Sequence, residues 1–538
     1  MPGESREYDY VIVGGGTAGC LLANRLTERG DATVALVEAG GRDRYPWIHI
    51  PIGYHRCHGN PRVDWCSRTD PVEGLNGRDL VYPRGRVLGG GSSINGMIFM
   101  RGSPLDYDHW AALGNTGWSW EDVLPLFLRH EDQYAIEPEE FGGRHRRGGE
   151  LRVEGSRIHW DVMDVFRAAA EQAGYTWMAD LSHGDREGLG PLQANQRAGL
   201  RWSSARAFLR PARHRPNLDV LTHTTVEQVL IEDHRAVALR IRRDGIEDLL
   251  PARREIILAA GVVGTPQLLQ LSGIGPGELL QEHGIPVLLD RPAIGENFQD
   301  HLQIRCAFEL SGITTLNETS RTLPQKARIA LRYAIKRSGP MAMPPAQVGM
   351  FARSDPDRER PNLQFHVQAF SMEGYRTGLD AAPGMTTSVC NIQPTSRGYV
   401  RITSRRSSDH PTIQPNYLGT DADRAVAADA IRLARLIISQ PAFRPYAPRE
   451  IRPGANWEST EDLAREAGNI GTTIFHGVGT CRMGVDPDAV VDPQLRVHGI
   501  ERLRIADASI MPTITSGNTN APVCMIAEKA ADLIRAGG

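Results

Sequence analysis

The N-terminal stretch restricts the fold more than any other part of the chain. Residues 8–41 read "YDYVIVGGGTAGCLLANRLTERGDATVALVEAGG" and place the apolar, β-branched run Val11–Val13 ahead of Gly14, Gly16 and Gly19, spaced as G-x-G-x-x-G. Such a run suits a strand buried on both faces. The first glycine permits a tight turn, the second lets the backbone approach a pyrophosphate, and the third lets the next helix lie close on the strand. That helix is expected over about residues 17–29, with Cys20, Leu21, Leu22 and Leu26 in its apolar stripe and Gly30 at its C-cap. A second strand over 33–37 ends in Glu38, nineteen residues beyond Gly19 and placed to accept hydrogen bonds from an adenosine ribose. Together these parts define a nucleotide-binding βαβ unit within a parallel α/β sheet. They leave NAD and FAD both open.

Composition bounds the rest. A chain of 538 residues exceeds one ordinary core, so more than one domain is expected. Its formal net charge of −3 gives no overall case for nucleic acid or an anionic membrane as partner. No apolar run approaches the ~18 residues that cross a bilayer. The seven cysteines include no C-x-x-C pair, which argues against a disulfide framework and against any metal site. The N-terminus holds acidic residues and no apolar signal core, giving a cytoplasmic address as the expectation. Arg144–Arg147, basic and set between glycine pairs, reads as an exposed loop tip.

A second glycine-rich segment, "YPRGRVLGGGSSINGMIFMRG" (82–102), narrows the cofactor. Gly89–Gly91 with Ser92 and Ser93 present a low backbone with many N–H donors, able to lie against a planar ring or an anion. The interleaved Val87, Leu88, Ile94, Met97, Ile98 and Phe99 argue against a flexible linker.

With "AAGVVGTPQLLQLSGIG" (259–275), "IGENFQDH" (294–301), "HGVGTCRMG" (476–484) and "LRIADASIMPTITSGNTNAPVCMIAEKAADLI" (503–534), that segment resembles the glucose–methanol–choline (GMC) flavoprotein oxidoreductases along essentially the whole chain. Within the family the resemblance is to bacterial sorbose and choline dehydrogenase types. It implies an α/β fold (α+β overall): a Rossmann-like FAD-binding domain of residues 1–155, 195–310 and 465–538, interleaved with a substrate-binding domain of residues 156–194 and 311–464 built on an antiparallel sheet that roofs the flavin. It also implies FAD as cofactor. Gly14, Gly16, Thr17, Ala18, Gly19, Glu38 and Ala39 would hold the adenosine half, with Val226 near adenine. Gly90, Gly91, Ser92, Asn95, Gly96, Met97 and Ile98 would meet the flavin half, and Arg86, Asp507, Ala508, Asn518, Thr519 and Asn520 would complete the site. Asp507 suits acceptance of hydrogen bonds from backbone or ribityl hydroxyls, and Asn520 suits a cap of the helix expected over 523–534. Choline oxidase-like members tether their flavin through a histidine where this chain has Ile94, so noncovalent FAD is expected.

The polar roof is open to two readings. "NLQFHVQAF" (362–370) alternates Leu363, Phe365, Val367 and Ala369 with Gln364, His366, Gln368 and Phe370, giving a strand whose polar face meets either substrate or solvent. "TTSVCNIQP" and "GYVRITS" read as further strands, "VVDPQLRVHGIERLRIAD" as a strand pair, and 421–439 as a helix.

Oxidising an alcohol removes a hydroxyl proton as well as a hydride, and histidine, with its ordinary pKa near 6.5, suits that proton. His476 in "GTTIFHGVGTCRMG" is the expected base, and Asn518 in "TSGNTNAP" the expected partner that orients the substrate oxygen. The expected activity is FAD-dependent oxidation of CH–OH to a carbonyl on a primary alcohol, polyol or sugar. Electrons then pass to a quinone or other carrier, as in a dehydrogenase, or to dioxygen, as in an oxidase that makes hydrogen peroxide. The dehydrogenase resemblance favours the first. Chemistry like that of the hydroxynitrile lyases stays as a lesser alternative.

Overall fold

In the computed structural model, which describes residues 7–182, 184–373 and 378–537, the chain is organised by two seven-stranded sheets. The first has a parallel core in the order Leu218–Leu221, Val34–Val37, Tyr8–Val13, Ile246–Leu258 and Leu503–Ile505. The strand ends align. Val13 stands beside Val37 and Leu258, Val37 beside Leu221, and Leu258 beside Ile505. Val11–Val13 and Val34–Val37 are buried throughout, as their unbroken apolar character requires.

Ile246–Leu258 is thirteen residues long and changes partner along its length. Its early part pairs antiparallel with Arg235–Arg243, which pairs in turn with Thr224–Glu232, while its last three residues pair with Leu503–Ile505. "VVDPQLRVHGIERLRIAD" therefore forms no strand pair of its own. Isolated bridges link Val491 with Val497 and Arg496 with Arg504, and Leu503–Ile505 joins the central sheet.

The first helix, Thr17–Thr27, packs against the last, Asn520–Gly537, through a buried ion pair between Arg25 and Glu528 at 2.7 Å. The last helix starts three residues before its expected bound of 523. Gly19 sets how closely the first helix approaches its strand, since a Cβ there would lie 1.9 Å from the Gly14 carbonyl oxygen.

The second sheet is antiparallel, in the order Arg449–Arg452, Leu302–Glu309, Gly384–Asn391, Leu363–Gln368, Val348–Ala352 and Gly188–Pro191, with Gly471–Thr473 also beside Leu302–Glu309. Leu363, Phe365 and Val367 share an apolar core with Ile304, Phe308 and Val389, and with Ile431 and Ala434 of the helix Asp421–Ile438. Gln364, His366 and Gln368 lie on the opposite face and are also buried. That face does not meet solvent.

Two local expectations are corrected. Tyr399–Arg401 leaves this sheet and forms a separate ribbon with Thr412–Gln414, where Gly398 lets the chains close so tightly that a Cβ would sit 1.9 Å from the Gln414 oxygen. The 144–147 segment is exposed at Arg144 and Arg146, but His145 is buried with its ring 2.8 Å from Glu131 and 2.9 Å from Asp180. Two carboxylates draw it inward against the basic pattern of its neighbours.

Gly19→Ala is expected to lower the melting temperature, because overpacking costs ~1–3 kcal/mol or more and here the obstacle is backbone. Gly155→Ala, whose added carbon meets nothing within 4 Å and which lies away from the nucleotide-binding loops, should melt like the parent. Thermal unfolding of both purified variants checks the contrast.

Candidate active site

Because the parallel strands end in register, the residues just past their tips converge. Gly14, Glu38, Ala259 and Asp507 line one end of a cavity of about 1100 Å³, above the ~300–1,000 Å³ of most ligand pockets. Gly14 turns with φ +101°, and a Cβ there would lie 2.5 Å from the Ala259 oxygen. Glu38 is clamped by backbone. One carboxylate oxygen accepts from Gly15 N–H at 2.9 Å, the other from Gly40 N–H at 2.7 Å. Burial pushes its pKa up, against those two donors and the nearby positive charge of Arg86. Asp507 accepts from Gly261 N–H and from the Thr265 hydroxyl at 2.9 and 2.6 Å, tying the start of the helix Gly261–Leu271 to the central sheet.

Three helix starts face this cavity, at Thr17, Gly261 and Asn520, and the Thr17 hydroxyl donates to the Asn520 amide oxygen at 3.0 Å. Converging helix N-termini favour an anion. Arg86 adds a cation with its Nε buried and without a partner, its guanidinium 4.9 Å from the Trp65 ring centre. Val226 and Ala39 line the same end.

The second glycine segment crosses the middle of the cavity. A Cβ on Gly90 would lie 2.7 Å from Gly16 Cα, so the two glycine loops touch, whereas nothing lies within 4 Å of a Cβ on Gly91. Asn95 is held by Arg201, which donates to its side-chain oxygen at 2.7 Å and its carbonyl at 2.6 Å. Arg201 also donates to the carbonyls of Ile48 and Ser92, and it is 1% exposed. Burial lowers its pKa to about 10. Met97 has φ +66°, a conformation rare outside glycine and kept where surroundings enforce it.

At the far end stands His476. Its Nε2 accepts from the Asn518 amide at 3.0 Å, and its Nδ1 lies 3.0 Å from His301 Nδ1. With Nε2 accepting, Nδ1 carries the hydrogen and donates it to His301. Burial first, then His301, His366 and Arg84, hold the His476 pKa well below its ordinary value, so the ring is neutral at pH 7. Phe475 just before it has φ +70°. Asn518 Oδ1 and His366 Nε2 are both buried without a hydrogen-bond partner. Gln303, His366 and Gln368 supply polar roof above. Gln364 is buried behind this wall.

All the residues expected at the site line this cavity except Gly19 and Ser92. Gly19 packs helix on strand, and the Ser92 hydroxyl donates to the Gly89 carbonyl at 2.6 Å. Sequence reading missed Arg201, whose partners are mostly main-chain carbonyls and leave no motif. It also missed Asp300 and His301, whose adjacency in "IGENFQDH" was the available signal. The seven cysteines form no disulfide, and six of them are buried.

The GMC oxidoreductase profiles match residues 8–303 and 394–527. The chain is 39% identical over 529 residues to the "Alcohol dehydrogenase [acceptor]" of Pseudomonas putida, covering 98% of this chain and 95% of that one. It is 39% identical over 544 residues to the mitochondrial choline dehydrogenase of Homo sapiens, covering 99% and 90%. A solved structure of Aspergillus oryzae formate oxidase, determined to follow FAD modification, superposes with a TM-score of 0.92 at 26% identity over 99% of both chains. A cavity with two touching glycine loops, three helix starts and an opposed His–Asn pair defines a flavin-dependent oxidoreductase acting on CH–OH groups. The chain belongs to the GMC oxidoreductase family. Its cofactor is FAD, which the anion-seeking helix starts, the orphan Arg86 Nε and the open glycine backbone fit.

Acid should destabilise this fold. Burial lowers His55, His130 and His301 to about 3, and His58 and His366 to about 4. In the unfolded chain each titrates near 6.5. Below that pH the unfolded state takes up protons that the folded state refuses, so stability is complete above 6.5 and is lost as pH falls towards 4. Each imidazole contributes up to ~1.4 kcal/mol per pH unit within that window. Urea unfolding at pH 7.5, 6.0 and 5.0 should show falling midpoints, and equal midpoints would contradict the assignment.

Proposed function

We propose that the protein oxidises a primary alcohol, polyol or sugar hydroxyl to a carbonyl, with His476 as base and Asn518 as orienting partner. One observation carries this reading: His476 Nε2 lines the cavity with its lone pair on the Asn518 amide, while Nδ1 is committed to His301. Bound FAD supplies the hydride acceptor. A substrate hydroxyl that replaces the Asn518 amide at Nε2 would donate its proton there, and the released amide would hold the substrate oxygen. His301 keeps the ring in the one tautomer able to accept. Burial disfavours the resulting imidazolium. Gln303, His366 and Gln368 would meet further hydroxyls of the substrate.

The cofactor would lie with adenosine at Glu38, Ala39 and Val226, pyrophosphate at Gly16–Ala18, Arg86 and Ala508, and flavin along Gly90–Ile98, Thr519 and Asn520. Ile94 supports noncovalent attachment. The interleaved division into FAD and substrate domains is retained, with Leu302–Glu309 and Gly471–Thr473 serving the roof. We place the enzyme in the cytoplasm as a dehydrogenase that reduces a quinone or other carrier. No helix among the described residues is long and apolar enough to cross a membrane.

The test is anaerobic bleaching of the bound flavin by a panel of alcohols in stopped flow. His476→Ala should bind FAD yet bleach ~10²–10⁴-fold more slowly. Asn518→Ala should lose ~10- to 100-fold, the worth of a hydrogen bond of ~1–3 kcal/mol in a closed site, and Asn518→His should lose less. With the His476 pKa held low, the parent rate should stay level from pH 8 to 6 and fall only in stronger acid. Parental rates in His476→Ala would remove it as base. Rapid recolouring with peroxide on readmitting oxygen would make the enzyme an oxidase instead.

Acid or heat should release the flavin intact. Flavin that stays with the denatured chain would refute the noncovalent assignment.

A further inference from the structure

The helix Leu323–Lys336 reverses the usual arrangement, in which a surface helix turns its apolar stripe towards the core. It meets the protein body through Tyr333, which is buried and donates its hydroxyl to the Gly199 carbonyl at 2.9 Å. Leu323, Ala327, Leu331 and Ile335, four residues apart, share one face and point away from the body. Leu323 is 81% exposed, Leu331 61% and Ile335 71%, and Ala327, Ala330 and Ala334 between them are exposed too. A capping box of Thr322 and Gln325 starts the helix, so local sequence supports it where packing does not. An apolar stripe left in water marks an interaction surface.

The charges say what covers it. No aspartate or glutamate occurs between Glu318 and Asp355, while Arg321, Lys326, Arg328, Arg332, Lys336 and Arg337 lie on or beside the helix. At 100° per residue, Lys326 borders one edge of the stripe and Arg328 and Arg332 the other. A second copy of the same face would set cation against cation. A flat negative plane with an apolar interior matches both features. The helix also leads, through Arg337 and the turn Pro340–Ala342, to Pro345 and Ala346, which line the cavity. The chain's net negative charge does not oppose this, because exposed charges beyond a Debye length of ~8–10 Å are screened.

We propose that the Leu323–Lys336 helix seats the protein on an anionic lipid bilayer, its Leu/Ile stripe among the acyl chains and its Lys and Arg side chains at the head groups. The holoenzyme should float with phosphatidylcholine vesicles containing phosphatidylglycerol, less with pure phosphatidylcholine, and more weakly in 1 M salt. Leu331→Glu/Ile335→Glu should abolish flotation. Arg328→Gln/Arg332→Gln should weaken it roughly thirtyfold, at ~1 kcal/mol for each charge near an anionic surface. Both variants should keep the parental rate with a water-soluble dye as acceptor, which reports that they are folded. Failure of the parent to bind anionic vesicles would overturn the proposal. So would variants that float like the parent, or a parental dimer that Leu331→Glu/Ile335→Glu converts to monomer.

Discussion

Asp300 accepts five hydrogen bonds in a position closed to solvent: from the hydroxyls of Tyr82, Tyr417 and Thr473, and from the backbone N–H groups of His301 and His476. Burial alone would make this carboxylate costly, and its pKa is indeed pushed up, with the hydroxyls and Arg84 pulling the other way. Its partners come from separate stretches of chain: the start of the second glycine segment, the segment after Thr412–Gln414, a strand of the antiparallel sheet, and the loop that carries His476. Removing one partner of such a network leaves a buried group unsatisfied. The position of His476 therefore depends on a residue that does not touch the cavity.

Parts of this arrangement were legible in the sequence because they repeat a short local rule. The βαβ unit is one: strand, glycines, helix and Glu38 lie within forty residues, and each constrains the next. The second glycine segment is another, since small residues beside bulky ones leave few alternatives to a packed, low-profile wall. His476 and Asn518 were found through motifs, and the structure sets them 3.0 Å apart. Arg201 was not legible, because its meaning lies in carbonyls at 48, 92 and 95 that any sequence could supply. The polar strand 363–368 was ambiguous for the same reason. Alternation shows that a strand has two unlike faces, but only the neighbouring layers decide what each one meets.

The pairing of His301 with His476 is an unusual way to fix a tautomer. A carboxylate behind the ring would raise the pKa and stabilise an imidazolium. A neutral imidazole accepts the same hydrogen without adding charge, so the His476 ring is oriented yet stays unprotonated. Asp300, the nearby carboxylate, spends its oxygens on backbone and hydroxyls rather than on the ring. Geometry and charge are thus assigned to different residues.

The thirteen-residue strand Ile246–Leu258 belongs to both kinds of pairing in the first sheet. Its first part pairs with the hairpin that carries Val226, and its last residue lies beside Val13 at the Gly14 turn. Adding a single residue at its middle would lengthen it by one step and also turn every later side chain to the opposite face. The register between the two halves of the strand is thus quantised. Drift by point substitution leaves that register intact, and a change in the strand's length that keeps its faces demands steps of two residues.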